Sequence, residues 1–326
     1  MDSGRMLAVV MNAYGPADVL KKGEVPTPVA GKGQVLVKVR AAGINPVDWK
    51  FRRGDMRMIH PVKLPAIPGL DLAGDVAAVG PGASRLKIGD AVFGFLHAFG
   101  KPGAYAQFAA VPESALAPKP PNLSYAEAAA MPVVAATALV ALREKGHLQA
   151  GGKVLVLGAS GGVGSCAVQI AKILGAAQVT GVCSGRNVEL VRSLGCDRAV
   201  DYKTEDPSRL GEIFDVILDT ASYSFGALKP SLKKGGVFVT TNPSPRALLG
   251  ALLAPVNPGK KMLTFIVPAR ADLLGEIAGW LQAGKLRPLV EKIYPASQAA
   301  QAHRDSEAGR VRGKLVLDME ELGRAA

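Results

Sequence analysis

A run of branched apolar residues that turns abruptly into small residues limits what this chain can fold into. Residues 153–157 read KVLVL, the pattern of a strand buried on both faces, and residues 158–164 read GASGGVG. Residues 165–175 then predict a helix that ends on glycine. This order of parts binds the pyrophosphate of a dinucleotide, because glycine lets backbone N–H groups approach the phosphates. A plain structural turn is the alternative, since Ser160 breaks the strict G-x-G-x-x-G spacing.

The composition excludes several classes of protein. With 326 residues, of which 48% are hydrophobic, the chain predicts a globular protein of two domains. The formal charge of +12 is spread without a long basic run, which argues against a nucleic-acid partner. Three cysteines form an odd, sparse set that indicates a reducing compartment. We expect a protein that is not secreted, because the N-terminus lacks the apolar segment of a signal peptide.

The sequence pattern changes near residue 122. Before it, short strands separated by glycine and proline turns predict an antiparallel β-rich domain. After it, strands alternate with helices, which indicates a parallel, doubly wound sheet. The predicted strands of that sheet are 153–157, 178–183, 198–201, 214–219, 236–241 and 262–267. A last strand, 313–317, has no place in this sheet, and we expect it to return to the first domain.

The end of the second parallel strand bears on the choice of cofactor. An NAD site usually has Asp or Glu there, which accepts hydrogen bonds from the ribose hydroxyls. This chain has Ser184 and Arg186 instead. A guanidinium suits a 2′-phosphate, so the sequence favours NADPH over NADH. The alternative is that Arg186 is a solvated residue of the first helical turn. Lys203 would add positive charge and Tyr202 would pack beside the adenine end, or else both are surface residues.

A catalytic zinc would need about three Cys, His or carboxylate ligands in matched geometry. The four histidines are scattered along the chain and no cluster of such ligands is present in the sequence. We therefore expect no metal site.

Five stretches together carry a family resemblance over the full length. They are Ala42–Lys50 (AGINPVDWK), Ile67–Gly74 (IPGLDLAG), Gly89–Gly94 (GDAVFG), Gly158–Gly164 and Gly313–Leu317 (GKLVL). They resemble the zinc-free quinone oxidoreductase branch of the medium-chain dehydrogenase/reductase superfamily. Residues 45–50 and 185–187 are similar to its subgroup of chloroplast envelope quinone-oxidoreductase homologues and enone reductases. Zinc-dependent relatives carry Cys at the Asn45-Pro46 position and Gly-His-Glu at residues 69–71, which argues against zinc alcohol dehydrogenase activity.

The resemblance implies an α/β fold of two domains with the active site in the cleft between them. Residues 1–122 and 268–326 would form a β-rich GroES-like catalytic domain, and residues 123–267 a doubly wound Rossmann domain for NADPH. The implied reaction is hydride transfer from NADPH to the C=C bond of an enone or enal, or to a quinone. A homodimer and a location in the cytoplasm or a chloroplast are also implied.

The predicted catalytic residues are Asn45, Asp48 and Lys50. Asn45 matches a family position beside nicotinamide and substrate, or else forms a turn before Pro46. Asp48 and Lys50 would add polarity there, or pair with each other. Thr137 matches a position near the cofactor, or packs within its helix. The full predicted cofactor set is Thr137, Ser160, Gly161, Gly162, Val163, Ser184, Arg186, Tyr202 and Thr241. No side chain is assigned as proton donor, and water can serve.

Residues 242–261 and two rival functions stay open. The segment has three basic residues, no acid and an apolar middle. It would be a lid, a dimer contact, a peripheral membrane contact or a buried helix. One rival function is a non-enzymatic NADPH-binding protein, structural or RNA-binding. The other is an enoyl-thioester reductase, whose usual Tyr after the Asn-Pro region is replaced here by Trp49 and Phe51.

Overall fold

A computed structural model describes residues 4–58, 60–97, 103–211, 213–242 and 259–324. The chain divides into two units. The first runs to Val133 and includes Pro268–Gly284 and the chain from Pro288 onward. The second comprises Val134–Val267 together with Lys285–Arg287.

The strands and helices have the following bounds in chain order. The strands are β1 Arg5–Met11, β2 Leu20–Pro26, β3 Gln34–Gly43, β4 Asp71–Val79, β5 Ala91–Phe95, β6 Phe108–Pro112, β7 Leu116–Pro118, β8 Lys153–Leu157, β9 Gln178–Cys183, β10 Arg198–Asp201, β11 Phe214–Asp219, β12 Leu232–Thr240, β13 Lys261–Thr264, β14 Val290–Pro295 and β15 Lys314–Asp318. The helices are α1 Pro46–Arg53, α2 Tyr125–Ala129, α3 Pro132–Leu139, α4 Gly162–Ile173, α5 Val188–Ser193, α6 Phe225–Leu228, α7 Ala271–Gln282 and α8 Ala299–Glu307.

The first unit is built on a seven-stranded sheet. Its path is β14-β15-β3-β4-β5-β7, with β6 paired to β3. In β3, Val35, Val37 and Val39 are buried and Lys38 is exposed. This alternation of period two buries one face of the strand against the core. The predicted β-rich, GroES-like character of this part of the chain is confirmed.

The last strand, β15, joins this same sheet, as the sequence predicted. It pairs antiparallel with β3, with Val316 opposite Gly43 and Asp318 opposite Ala41. This pairing carries Lys314, which starts β15, to the end of β3. Residues separated by most of the chain length therefore meet in one place.

The second unit contains a six-stranded parallel sheet in the order β10-β9-β8-β11-β12-β13. Counted from β8, this is 3-2-1-4-5-6, the order of a doubly wound dinucleotide-binding fold. Residues 154–157 of the central β8 are fully buried, as expected of a parallel strand covered on both faces. The predicted Rossmann fold is confirmed. Four of the six strands have the predicted bounds, whereas β12 begins earlier and β13 ends earlier.

Residues 243–258, most of the predicted lid, contact or membrane segment, lie outside the described residues. Within the described ranges, no helix has the length and apolar character needed to cross a membrane.

Candidate active site

The glycine turn after β8 presents backbone N–H groups at the carboxyl edge of the parallel sheet. Gly158 takes a positive φ of 80°, and the Gly161 N–H donates to the Gly158 carbonyl over 3.0 Å. Thr220, which directly follows β11, donates from its Oγ1 to the Leu157 carbonyl over 2.7 Å and so links the turn to the neighbouring strand of the sheet. Helix α4 begins at Gly162, so the N–H groups of its first turn have no partner within the helix. Those groups and the helix dipole suit a phosphate.

Gly164 is required by close packing rather than by its dihedral angles. A Cβ atom at this position would lie 2.1 Å from the Gly158 carbonyl oxygen and 2.8 Å from Ala159 Cα. Both are backbone atoms, so neither can move aside without displacing the turn. This is the role of the third glycine of a dinucleotide-binding turn, which lets the helix approach the strand.

Replacing Gly164 by alanine should therefore destabilise the protein by about 1–3 kcal/mol, because the added methyl group overpacks the turn. The matched control is Gly279→Ala in α7, where a Cβ atom meets nothing within 4 Å. Alanine there should stabilise by up to about 1 kcal/mol through helix propensity. Urea unfolding followed by circular dichroism measures both variants. If the two behaved alike, the packing argument for Gly164 would be wrong.

A buried asparagine joins the glycine turn to the turn that follows β9. Asn187 Nδ2 donates to Ser160 Oγ over 3.0 Å, and the Asn187 N–H donates to the Ser184 carbonyl over 2.8 Å. Asn187 is buried, and its Oδ1 contacts no donor in the described chain. Arg186 is exposed in the same short turn. Sequence reasoning missed Asn187, although it lies directly after Arg186.

An acidic side chain reaches the same place from the third strand. Asp201 ends β10 and pairs in register with Cys183 at the end of β9. A Cβ atom on Gly185 would lie 2.4 Å from Asp201 Oδ2, so the carboxylate lies directly beside that glycine. The prediction considered only the second strand and found no acid there. One basic residue, Arg186, and one acidic residue, Asp201, thus lie at the carboxyl end of β9.

The ends of β11 and β12 are ordered by one buried carboxylate. Asp219 accepts hydrogen bonds from the N–H groups of Ala221 (3.0 Å) and Tyr223 (3.1 Å) and from Thr240 Oγ1 (2.9 Å). The Thr241 N–H donates to the Asp219 carbonyl over 3.0 Å. Thr241 is therefore held at the carboxyl edge of the sheet.

Most of the predicted cofactor residues share this edge of the parallel sheet. Those that do are Ser160, Gly161, Gly162, Val163, Ser184, Arg186, Tyr202 and Thr241. Thr137 lies instead in α3, which precedes β8 in the chain, and it is largely buried.

In the first unit, Asn45, Asp71 and Lys314 form a buried polar group that we call the lysine cluster. Lys314 Nζ donates to Asn45 Oδ1 (2.6 Å), to the Ile44 carbonyl (2.7 Å) and to Asp71 Oδ2 (3.1 Å). Asn45 Nδ2 donates to Asp71 Oδ2 over 2.9 Å, and the Val133 N–H donates to Asp71 Oδ1 over 2.8 Å. Each of the three side chains is at most 5% exposed. The ammonium group of Lys314 and both oxygens of Asp71 therefore have partners within the protein, whereas these bonds use one of the two N–H groups of Asn45 Nδ2.

The lysine cluster joins two stretches that carry zinc ligands in the zinc-dependent relatives, residues 45–46 and 69–71. Asn45 comes from the first stretch and Asp71 from the second, and an ammonium group bridges them. Burial raises the pKa of Asp71, while the charge of Lys314 and the Asn45 hydrogen bond act in the opposite direction. In the described ranges, no group of three or more His, Cys, Asp or Glu side chains is placed to hold a metal ion. A positive charge here comes from the protein itself.

Asp48 occupies a structural position beside the cluster. Its Oδ2 accepts from the Asn45 N–H over 2.8 Å, at the start of α1, and from the Tyr105 hydroxyl over 3.4 Å. The Tyr105 hydroxyl lies 3.3 Å from His303 Nε2. Burial raises the pKa of Asp48 to about 7. Among the described residues, Lys50 is not a hydrogen-bond or ion-pair partner of Asp48, and its Nζ lies over the Trp49 ring, 5.7 Å from the ring centre.

Comparisons with known proteins agree with both units. Residues 31–121 match the family described as alcohol dehydrogenase GroES-like domain, and residues 194–317 match the family described as zinc-binding dehydrogenase. A chloroplastic quinone-oxidoreductase of Triphysaria versicolor is 36% identical, over 96% of this chain and 98% of the relative.

A second relative and a solved structure extend the likeness. A chloroplastic NADPH-dependent alkenal/one oxidoreductase of Arabidopsis thaliana is 37% identical, over 96% of this chain and 79% of the relative. The structure of the quinone oxidoreductase from Coxiella burnetii matches with a TM-score of 0.87 at 30% identity, over 96% of this chain and 99% of that one. The chain therefore belongs to the medium-chain dehydrogenase/reductase superfamily and is an oxidoreductase that works with a nicotinamide cofactor.

Proposed function

We propose that the protein is a zinc-independent reductase that transfers hydride from NADPH to a conjugated acceptor. The acceptor is the C=C bond of an α,β-unsaturated carbonyl compound, or a quinone. The observation that carries this proposal is the lysine cluster, in which Lys314 bridges Asn45 and Asp71. A simple ketone needs a strong electrophile at its oxygen, whereas a conjugated acceptor is already electrophilic. The names of the relatives, a quinone-oxidoreductase and an alkenal/one oxidoreductase, support the same substrate class.

The residues at the carboxyl edge of the sheet fit a dinucleotide. The N–H groups of Gly162 and Val163, at the start of α4, would bind the pyrophosphate, and Gly161 would shape the turn that presents them. Ser184 and Arg186 would bind the ribose and its 2′-phosphate. Asn187 holds Ser160, and Asp219 holds the turn next to Thr241, so both act as positioning residues. When bound there, NADPH supplies the hydride.

Negative charge that develops on the acceptor oxygen needs a hydrogen bond or a positive charge nearby. Asn45 is the candidate donor, because its amide is fixed from two sides by Asp71 and Lys314. We assign the proton that completes the reduction to water. Asp48 supports Asn45 through its backbone N–H, which makes Asp48 a positioning residue. We also propose a homodimer and, from the relatives named for the chloroplast, work in a chloroplast or the cytoplasm.

Absorbance of the reduced nicotinamide tests the proposal. NADPH and NADH are offered with 9,10-phenanthrenequinone or with a short-chain enone, each with and without a chelator. We expect NADPH to be consumed with at least one acceptor at a rate the chelator does not change. Loss of activity on chelation would contradict zinc independence. NADPH that binds but is never consumed would support a non-enzymatic binding protein instead.

A further inference from the structure

The second unit has a concave, basic surface at the edge of its sheet opposite to the glycine turn. A cavity of about 430 Å³ is lined by the first residues of β11, β12 and β13 and by the chain just before β8. Its charged lining is four lysines, Lys145, Lys233, Lys234 and Lys261, against one carboxylate, Asp215. We call it the lysine cavity. Parallel strands start at this edge, so the cavity is separate from the residues proposed to bind NADPH.

A backbone irregularity creates the cavity. In the pairing of β11 with β12, Phe214 lies opposite Leu232 and Val216 opposite Val237. One residue of β11 thus faces four residues of β12, and the extra length loops out of the sheet. This loop reads Lys-Lys-Gly-Gly, and Gly235 takes a positive φ of 80° that a side chain would strain. The bulge places two neighbouring lysines at the cavity instead of within the strand.

The charges in the cavity are mostly uncompensated. Lys233 Nζ donates to Asp215 Oδ1 over 2.8 Å, and Asp215 Oδ2 accepts from the Lys153 N–H over 2.9 Å. The single carboxylate is therefore occupied by Lys233 and the backbone. Within the described residues, no carboxylate forms an ion pair with Lys145, Lys234 or Lys261. Lys145 and Lys261 are half-buried, so their repulsion is screened less than that of fully exposed charges.

We propose that the lysine cavity binds a small anion that carries two or more phosphate charges. Its volume lies within the range of small-molecule pockets, about 300–1,000 Å³. Convergent ammonium groups are donors without acceptors, and phosphate oxygens are acceptors without donors, so the two are complementary. The same phosphate chemistry occurs in free pyrophosphate compounds and in the headgroups of anionic lipids.

The test uses the full chain saturated with NADPH, so that the dinucleotide site is filled. Pyrophosphate binding is measured by calorimetry, and vesicle binding by co-sedimentation with phosphatidylcholine vesicles containing one fifth phosphatidic acid. The variant is Lys234→Gln with Lys261→Gln. The matched control is Lys21→Gln with Lys22→Gln in β2, which removes the same charge from exposed positions of the other unit. Unchanged NADPH binding shows that both variants are folded.

We expect the cavity variant to bind pyrophosphate, or the vesicles, about tenfold more weakly, and the control to match wild type. Pyrophosphate binding that is lost in the cavity variant supports a free phosphate ligand. Vesicle binding alone, lost in the same variant, supports a lipid headgroup. Equal losses in both variants, or no binding of either probe by the wild type, would overturn the proposal.

Discussion

Replacing Lys314 by methionine is expected to destabilise the protein by about 3–5 kcal/mol, because the substitution leaves the carboxylate of Asp71 buried without its counter-charge. Methionine has a similar length, so the loss reflects the missing ammonium group and not a large cavity. Three hydrogen bonds are removed together, those to Asn45 Oδ1, the Ile44 carbonyl and Asp71 Oδ2. The midpoint of urea unfolding is the measurement.

Two further variants separate charge burial from a general effect of the substitution. Lys38→Met, at an exposed position of β3 in the same sheet, should leave the midpoint nearly unchanged. Adding Asp71→Asn to Lys314→Met should recover most of the lost stability, since the amide keeps an acceptor for the Val133 N–H and carries no charge. A double variant no more stable than the single one would show that the cluster is not held together by this charge pair.

Replacing Arg186 by glutamine is expected to raise the KM for NADPH about 10- to 100-fold, the equivalent of losing charge-assisted hydrogen bonds to the 2′-phosphate. The KM for NADH should change little, because NADH has no phosphate at that position. The carboxylate of Asp201, which lies beside Gly185, remains after the substitution and disfavours a phosphate further.

The control for this substitution is Arg192→Gln in α5, whose guanidinium pairs with Glu189 on the surface. It removes the same charge from the same short region and should leave both KM values close to wild type. Steady-state kinetics with each cofactor at a fixed acceptor concentration measures the effect. An equal rise of KM for NADPH and NADH would indicate that Arg186 supports the fold of the turn and does not recognise the phosphate.

The parallel sheet was predictable because its strands are buried on both faces. Such strands are rich in apolar residues, and β8, β9 and β11 have the predicted bounds for this reason. The edge strand β10, which reads RAVD, also has the predicted bounds but is only partly buried. The start of β12 was not predictable in the same way. Its Lys-Lys-Gly-Gly sequence does not look like a strand, and only pairing with β11 shows that the strand continues through a bulge.

The site was predictable where local sequence determines the geometry. The glycine turn is local, and it forms at the carboxyl end of β8 as the spacing indicates. Lys314 and Asp201 were missed because their roles depend on strand pairing. Lys314 meets Asn45 across 269 residues of sequence, and Asp201 meets Gly185 only because β10 pairs with β9. One signal was available for Lys314, since a lysine within a buried apolar strand requires a partner.

The most direct test of the proposed function follows the hydride itself. The enzyme is given a short-chain enone and NADPH in which both hydrogens on C4 of the nicotinamide are deuterium. The product is examined by nuclear magnetic resonance. We predict deuterium at the former β-carbon and an intact carbonyl group. Deuterium at the carbonyl carbon, as an alcohol dehydrogenase would place it, or the absence of hydride transfer to either the enone or a quinone, would contradict the assignment as a conjugated-acceptor reductase.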